Sequence, residues 1–445
     1  MSTAVTTAPT DRPASPEEPP VRDRADVRRQ VKLVVVLALL LVVEVWFKLE
    51  ITDPEVSQLL KGPRSAENQP VFFDGSYVSW GAVAITAVAL LLAALNRYPR
   101  GWIGAVVAVL VGVAFYGSFL MWAYADGDIP IAITNPLGGT LLVATYLVLG
   151  ALAGVVCERA GVVNIAIEGQ FIMAAFFASV TCSLAVASLG GVPLFWTPVI
   201  GMLGGALAGM FVAALLGFFA LRYHVDQVVV GVVLVTFGYG LTSFLRGQIP
   251  SDQAARLNRP YQLEPVEIPL LADIPYVGQA MFNQTLLVYV MYLAIPGVWF
   301  LLFQTRWGLR VRAVGEHPKA ADTVGIDVVR VRWQALLLGG VLAGLGGSAF
   351  TLSTGAFTSQ MSAGLGFIAL AAVIMGRWHP IWAALAAIAF AFLRNLRDQL
   401  SILDEKVPGE LISMLPYLAT IIAVAGLVGR VRAPAASGQH YAKGD

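Results

Sequence analysis

Apolar stretches long enough to cross a bilayer recur along most of the 445-residue chain, with short polar breaks between them, and this pattern leaves few folds open. A helix needs about 20 mainly apolar residues to cross roughly 30 Å of hydrocarbon. Lipid offers no hydrogen bonds, so a crossing segment must pair its own backbone groups, which a helix does. Twelve candidate spans follow: 31–47, 80–95, 102–124, 137–156, 165–189, 194–221, 225–245, 284–303, 335–354, 365–375, 381–393 and 411–428. Those at 365–375 and 381–393 are short and flank the break Gly376-Arg377-Trp378-His379-Pro380. They read as half-helices or a re-entrant pair, tolerable only where protein or water covers them. The expected fold class is all-α, a polytopic transmembrane helical bundle of about 10–12 spans, some broken or re-entrant.

With 57% hydrophobic and 13% charged residues, the chain suits lipid as its solvent, and a net charge of +1 gives no reason to expect nucleic acid. Residues 1–30, rich in Pro, Ala, Thr, Asp, Glu and Arg, read as a disordered tail. The first span follows Arg28, Arg29 and Lys32 without a small-residue cleavage site, so it is expected to stay as an anchor. Alternating sides from a cytoplasmic tail places 20 of the 29 Lys and Arg residues inside. That asymmetry predicts a multi-pass protein of the cell membrane with both termini cytoplasmic, the segment 433–445 included. Cys157 and Cys182 lie in apolar runs and read as small packing residues, and His224, His317 and His379 are too scattered for a metal site. Trp102, Trp122, Trp196, Trp307 and Trp378 stand near span ends, where interfacial anchoring accounts for them. Glu44, late in the first span, is expected to reach toward the outer interface. The outer loop 246–283 carries five prolines and suits either a receiving surface for a binding protein or a lid packed on the helices.

The basic loop 304–333, with Arg306, Arg310, Arg312, Lys319, Arg330 and Arg332, contains a short helix in its middle. Pro318 suits the first helical position, Lys319 to Val324 continue it, and Gly325 suits the left-handed residue past its end. A helix of two turns is marginal alone in water and needs support from its loop or a partner. Equally open from composition alone is an ordinary basic loop on the inner face.

A second constellation is Glu158-Arg159 and the run from Asn164 to Gly169. Asn164 can cap the span starting at Ile165, and Glu168 in its first turn complements the positive helix end. The alternative is a helix broken near Gly161 and Gly169, with Asn164 and Glu168 facing a polar pathway, since an ionisable group at membrane depth costs about 2.5–3.5 kcal/mol. Asp226 and Gln227 open the span at 225, where capping is again available. Small residues in 201–209 and 339–347 favour close helix packing, static or sliding.

Four segments carry a resemblance: ERAGVVNIAIEGQ at 158–170, VDQVVVGV with GYGLTSFL between 225 and 245, GLRVRAVGEHPKAADTVGI at 308–326, and GLGFIALAAVIMGRWHP at 364–380. In this order they resemble the ABC transporter permeases of the branched-chain amino acid/ribose class, nucleoside/simple-sugar branch. The resemblance covers 135–432 as a permease core; 31–134 lies outside it as extra transmembrane helices. It implies an importer with a second permease subunit, cytoplasmic ATP-binding subunits and an external substrate-binding lipoprotein. No cofactor is expected on this chain: it has no GxxxxGK[ST] phosphate-cradling loop, so ATP would be hydrolysed on the partner subunit. Glu316, His317, Pro318, Lys319, Ala320, Ala321, Asp322 and Gly325 are then the candidates for coupling to the ATPase. Asn164, Glu168, Gln170, Gln227 and Phe367 are the candidates for the translocation pathway. Interrupted spans and Glu168 also suit an ion-gradient-driven secondary transporter of a small polar solute. No nucleophile–base pair, metal cluster or paired carboxylates support an enzyme.

Overall fold

Ten helices are long and apolar enough to cross a bilayer in the computed structural model, among the described residues 24–51, 55–59, 70–99, 101–124, 131–132, 135–188, 193–250, 252–274, 277–400, 414 and 432–442. The predicted span 411–428 and residues 1–23 of the predicted tail lie outside this set, apart from position 414. The chain divides into two compact units, residues 1–58 with 71–131 and residues 59–70 with 132–445.

The first unit holds α1 (Arg24–Glu50), α2 (Ser76–Ala94) and α3 (Trp102–Tyr124). Ala82, Ala89 and Ala93 make a smooth row on α2, and Leu37 of α1 and Val111 of α3 share a cluster with Ala89 and Ala93. Glu44 does not reach outward: it is fully enclosed, and the Thr86 hydroxyl donates to it at 2.9 Å. A buried acid keeps a polar partner because none is available from lipid. Trp122 likewise is buried, stacked on Phe47 at 4.9 Å, rather than sitting at an interface.

The second unit contains α4 (Asn135–Arg159), α5 (Ile167–Ser188), α6 (Thr197–Gly217), α7 (Gln227–Gly247), α8 (Ala254–Leu257), α9 (Val277–Phe282), α10 (Leu286–Gln304), α11 (Arg306–Glu316), α12 (Pro318–Thr323), α13 (Val328–Thr354), α14 (Leu365–Met375) and α15 (Pro380–Leu400). Its centre is α4, whose Ala144, Leu147, Val148, Leu149, Ala151, Leu152 and Val155 are enclosed on every side. A helix apolar all round is a buried helix, and α13, α14 and α15 pack about this one. Asp226 caps α7, accepting from the N–H groups of Val228 and Val229. The segment after α7 packs down as a lid: Asn258 bonds both backbone groups of Phe357, and Leu263 N–H donates to Leu352 O.

Two expectations change here. The predicted short span 381–393 is a full-length helix, α15, which continues past Arg394 to Leu400 because Asn395 donates to Pro136 O and Thr140 of α4. Among the described residues, only α14 is a half-helix. The loop predicted over 304–333 is largely helical: α11 and α12 occupy it, and α13 begins at Val328 with Asp327 as its cap, so Arg330 and Arg332 belong to a span.

The glycine faces of α6 and α13 meet backbone to backbone. A methyl group on Gly209 would lie 2.4 Å from Gly340 O, and one on Gly344 would lie 2.5 Å from Gly205 O. Close approach of this kind lets helices attract one another in lipid without a hydrophobic drive. Gly209→Ala should therefore destabilise the fold by about 1–3 kcal/mol through overpacking. Gly240→Ala on α7, where nothing stands within 4 Å, should leave it unchanged or slightly raised; thermal unfolding of the two variants in detergent measures the contrast.

Candidate functional site

Helices α11 and α12 form a bent pair between the spans α10 and α13. Thr305 starts α11 by accepting from Gly308 N–H at 3.0 Å. Gly308, Val311, Val314 and Gly315 give it a buried face, while Arg306, Leu309, Arg310 and Glu316 are exposed. That spacing of buried residues, three and four apart, was present in the sequence and marks the helix that the reading of a loop passed over.

The chain bends at His317, and Pro318 opens α12, which makes its first bond from Ala321 N–H to His317 O at 3.0 Å. At its end Gly325 N–H donates to Asp322 O and Ile326 N–H to Ala321 O. These are the two bonds of a Schellman ending, and Gly325 takes the left-handed φ of +84° that it demands. Ala321 is the buried anchor of α12; Glu316, His317, Lys319, Ala320 and Gly325 face outward, and Pro318 and Asp322 are half-buried. The coupling candidates are thus one exposed polar ridge on a single inward pin.

The signature residues Glu158 and Arg159 do not point into open space. The Trp378 indole donates to Glu158, and Arg159 Nε donates to Trp378 O at 2.8 Å. Trp378 is buried, contrary to an interfacial role. Arg377 and Trp378 have φ of +52° and +54°, a conformation that costs of order 1–3 kcal/mol at each non-glycine residue and persists because neighbours hold it. The end of α4 therefore secures the joint between α14 and α15. The guanidiniums of Arg159 and Arg312 both lie over the Phe303 ring, at 5.8 and 4.9 Å, so the same point meets α11. Burial and the nearby Arg159 hold the His379 pKa below its ordinary value.

Asn164 is not a cap, because α5 starts two residues beyond the expected point, at Ile167. Its amide instead pairs with that of Gln170, both side chains fully buried, and also donates to Cys157 Sγ. The break falls at Gly161, with φ of +82°, and not at Gly169, which lies inside α5 against the backbone of Leu234. Gln227 Oε1 accepts from Val163 N–H at 2.7 Å and so fixes this non-helical stretch to the start of α7.

Glu168 caps a helix, but not its own. One carboxylate oxygen accepts from the Tyr239 hydroxyl, from Ser362 at 2.7 Å and from Gly364 N–H at 2.8 Å; the other accepts from Gly366 N–H at 2.6 Å. Gly364 and Gly366 belong to the first turn of half-helix α14, whose positive end favours an anion. Tyr239 and Ser362 also bond each other at 3.0 Å. Nothing local to Glu168 signals these partners, which come from α7 and the segment ahead of α14. Phe367, on the same first turn, is half-exposed. Chemically, the cluster is a saturated carboxylate: it can accept a new hydroxyl or amine only by giving up one of its four donors.

Comparison with known proteins adds the following. The family model described as branched-chain amino acid transport system / permease component matches residues 137–424. The guanosine ABC transporter permease protein NupQ of Bacillus subtilis is 39% identical over 71% of this chain and 99% of its own length. The nucleoside ABC transporter permease protein NupC of Lactococcus lactis is 37% identical over 68% of this chain and 95% of its own. The putative glucose ABC transporter permease protein TsgC13 of Haloferax volcanii is 33% identical over 66% and 92%. No solved structure matches.

Glu168→Gln puts an NH₂ group where a backbone N–H or a hydroxyl now donates. It should cost about 1–3 kcal/mol, the scale of one unsatisfied buried donor. Tyr239→Phe, which removes one donor and leaves three, should cost less; thermal unfolding in detergent and the yield of monodisperse protein order the two.

Proposed function

Because the chain belongs to the branched-chain amino acid transport permease family, we propose that it forms the translocation pathway of an ATP-driven importer for nucleosides or simple sugars, nucleosides first. Relatives named for guanosine and nucleosides at 39% and 37% identity support that order, ahead of the glucose relative at 33%. In this reading a separate ATP-binding subunit docks on α11 and α12, a second permease subunit completes the pathway, and an extracytoplasmic lipoprotein delivers substrate. In this reading α11, α12 and both chain termini face the cytoplasm.

The observation that carries the reading is the α12 helix itself. A two-turn helix closed by a Schellman ending, pinned by Ala321 and exposing Glu316, His317, Lys319 and Ala320, is a short rigid lever with polar handles. It packs on α11 and α13, and α11 in turn meets the end of α4 and the α14–α15 joint through Arg312, Phe303 and Arg159. Force applied to the ridge by a nucleotide-driven partner would reach the broken helices within a few contacts. There, Glu168 with Tyr239 and Ser362, and Asn164 with Gln170, offer polar groups that match the hydroxyls and amides of a nucleoside. A carboxylate accepts two hydroxyls of one ribose as readily as those of Tyr239 and Ser362.

Ala321→Pro removes the first hydrogen bond of α12, at a cost of about 3 kcal/mol in a helix interior. ATP-driven uptake of labelled nucleoside into vesicles should fall at least tenfold while the chain remains in the membrane at wild-type amounts. Undiminished uptake would remove α12 as the lever, and uptake by the purified chain alone, driven by an ion gradient, would replace the reading with a secondary transporter.

A further inference from the structure

The segment 432–442 returns to the end of the bundle where α11 and α12 lie, although 120 positions separate Gly315 from Ala435. It is folded on itself by tight turns, with Ser437 N–H donating to Pro434 O and Gln439 N–H to Ala436 O. Ala436 and Tyr441 are buried in the protein. From this small body, bonds run to five places. Ala436 N–H donates to Gly315 O at 2.9 Å, at the end of α11, and Ala435 N–H to Glu316 at 3.3 Å. Gly438 N–H donates to Gly161 O at 3.2 Å, in the turn after α4. His224 Nε2, just before α7, donates to Tyr441 O at 3.2 Å. Arg332 Nη1, on α13, donates to Gln439 O at 2.9 Å. Burial, and after it the neighbouring Asp322 carboxylate of α12, hold the Tyr441 hydroxyl's pKa above its ordinary value.

Arg332 makes the arrangement specific. Its side chain is 1% exposed, and Gln439 O is its hydrogen-bond acceptor; Nε and Nη2 have none among the described residues. A buried guanidinium is costly unless it is partnered, and the segment supplies the one acceptor this group has among the described residues. The turn at Gly161 is matched as well: a methyl group there would stand 2.9 Å from Ala436 O. By contrast α12 has a single buried residue and is too short to persist alone.

We propose that residues 434–441 are a strap that ties α11 and α12 to the ends of α4, α7 and α13, so that displacement of the exposed helix pair is passed to those spans instead of being absorbed by bending at His317. The proposal deepens the reading of α12 as a lever and rests on it for its role in transport. The tie itself is a separate physical claim. With the strap seated, the two helices and three spans are one body. With it gone, α12 hangs between the bend at His317 and the turn at Gly325, and Arg332 loses its acceptor.

Two measurements on the full assembly test this. In the chain purified in nanodiscs, removal of residues 433–445 should speed amide exchange across 318–326 at least tenfold and leave α5 unchanged. Ala436→Glu, which unseats the strap without shortening the chain, should do the same and covers the case of a truncated protein that folds poorly. In vesicles holding the complete ATP-driven complex, either variant should keep ATP hydrolysis but lower nucleoside imported per ATP at least fivefold. A merely stabilising segment would lower both together and leave the ratio untouched. Unchanged exchange, or an unchanged ratio, overturns the strap. Absence of ATP-driven uptake by the intact chain would instead overturn the functional reading, and the exchange measurement then decides the strap by itself.

Discussion

Every peptide group inside a bilayer must find a partner within the protein, and this chain breaks its helices where that demand is hardest to meet. The structure answers with side chains that serve the backbone. Glu168 takes the two N–H groups at the head of α14, and Gln227 takes Val163 N–H in the non-helical stretch before α5. Arg159 covers the carbonyl of Trp378 at the joint between α14 and α15. Each of these polar residues sits on a regular helix and reaches across to an irregular one. Polar groups at membrane depth are thus explained first as repairs to broken backbone. Their availability to a solute follows from the same fact, because a solute that brings its own donors can take over a repair.

This dual use sharpens the link between site and function. Of the elements that secure the breaks, α4 also packs against α11, with Arg159 and Arg312 sharing the Phe303 ring. A change at the ridge need not travel through a long path of packed side chains. In the proposed coupling it reaches the joint at Arg377 and Trp378 by way of Arg312, Phe303 and Arg159, where left-handed backbone is held by its neighbours. Helices α6 and α13, whose backbones touch at Gly209 and Gly344, have few side chains between them to rearrange.

What the residues disclosed in advance, and what they did not, divides along physical lines. Spans were legible because apolar length is a property of the local chain, and α12 was legible because Pro318 and Gly325 mark its ends through their own backbone preferences. The extension of α15 beyond Leu393 was hidden: Arg394 and Asn395 look like a span end until α4 supplies partners for them. Arg332 looked like loop charge for the same reason, since its acceptor lies 107 positions away. Asn164 and Glu168 were recognised as polar groups of consequence, yet their partners, Gln170 in one case and Tyr239, Ser362 and α14 in the other, depend on tertiary contact. Local chemistry announces itself; which distant group completes it does not.

The bonds between Gly315 and Ala436 have a consequence in time. A ribosome adds about 5–20 residues per second, so the stretch of about 120 positions between them takes several seconds to appear. During that interval the residues of α11 and α12 are already made, their spans can enter the membrane, and the groups at Gly161, Gly315 and Arg332 wait without their strap partners. The helix pair reaches its final seating only once that stretch has been made. Under the proposed strap, a nascent chain that has not yet reached Ala436 presents a loose surface where a longer one presents a firm surface.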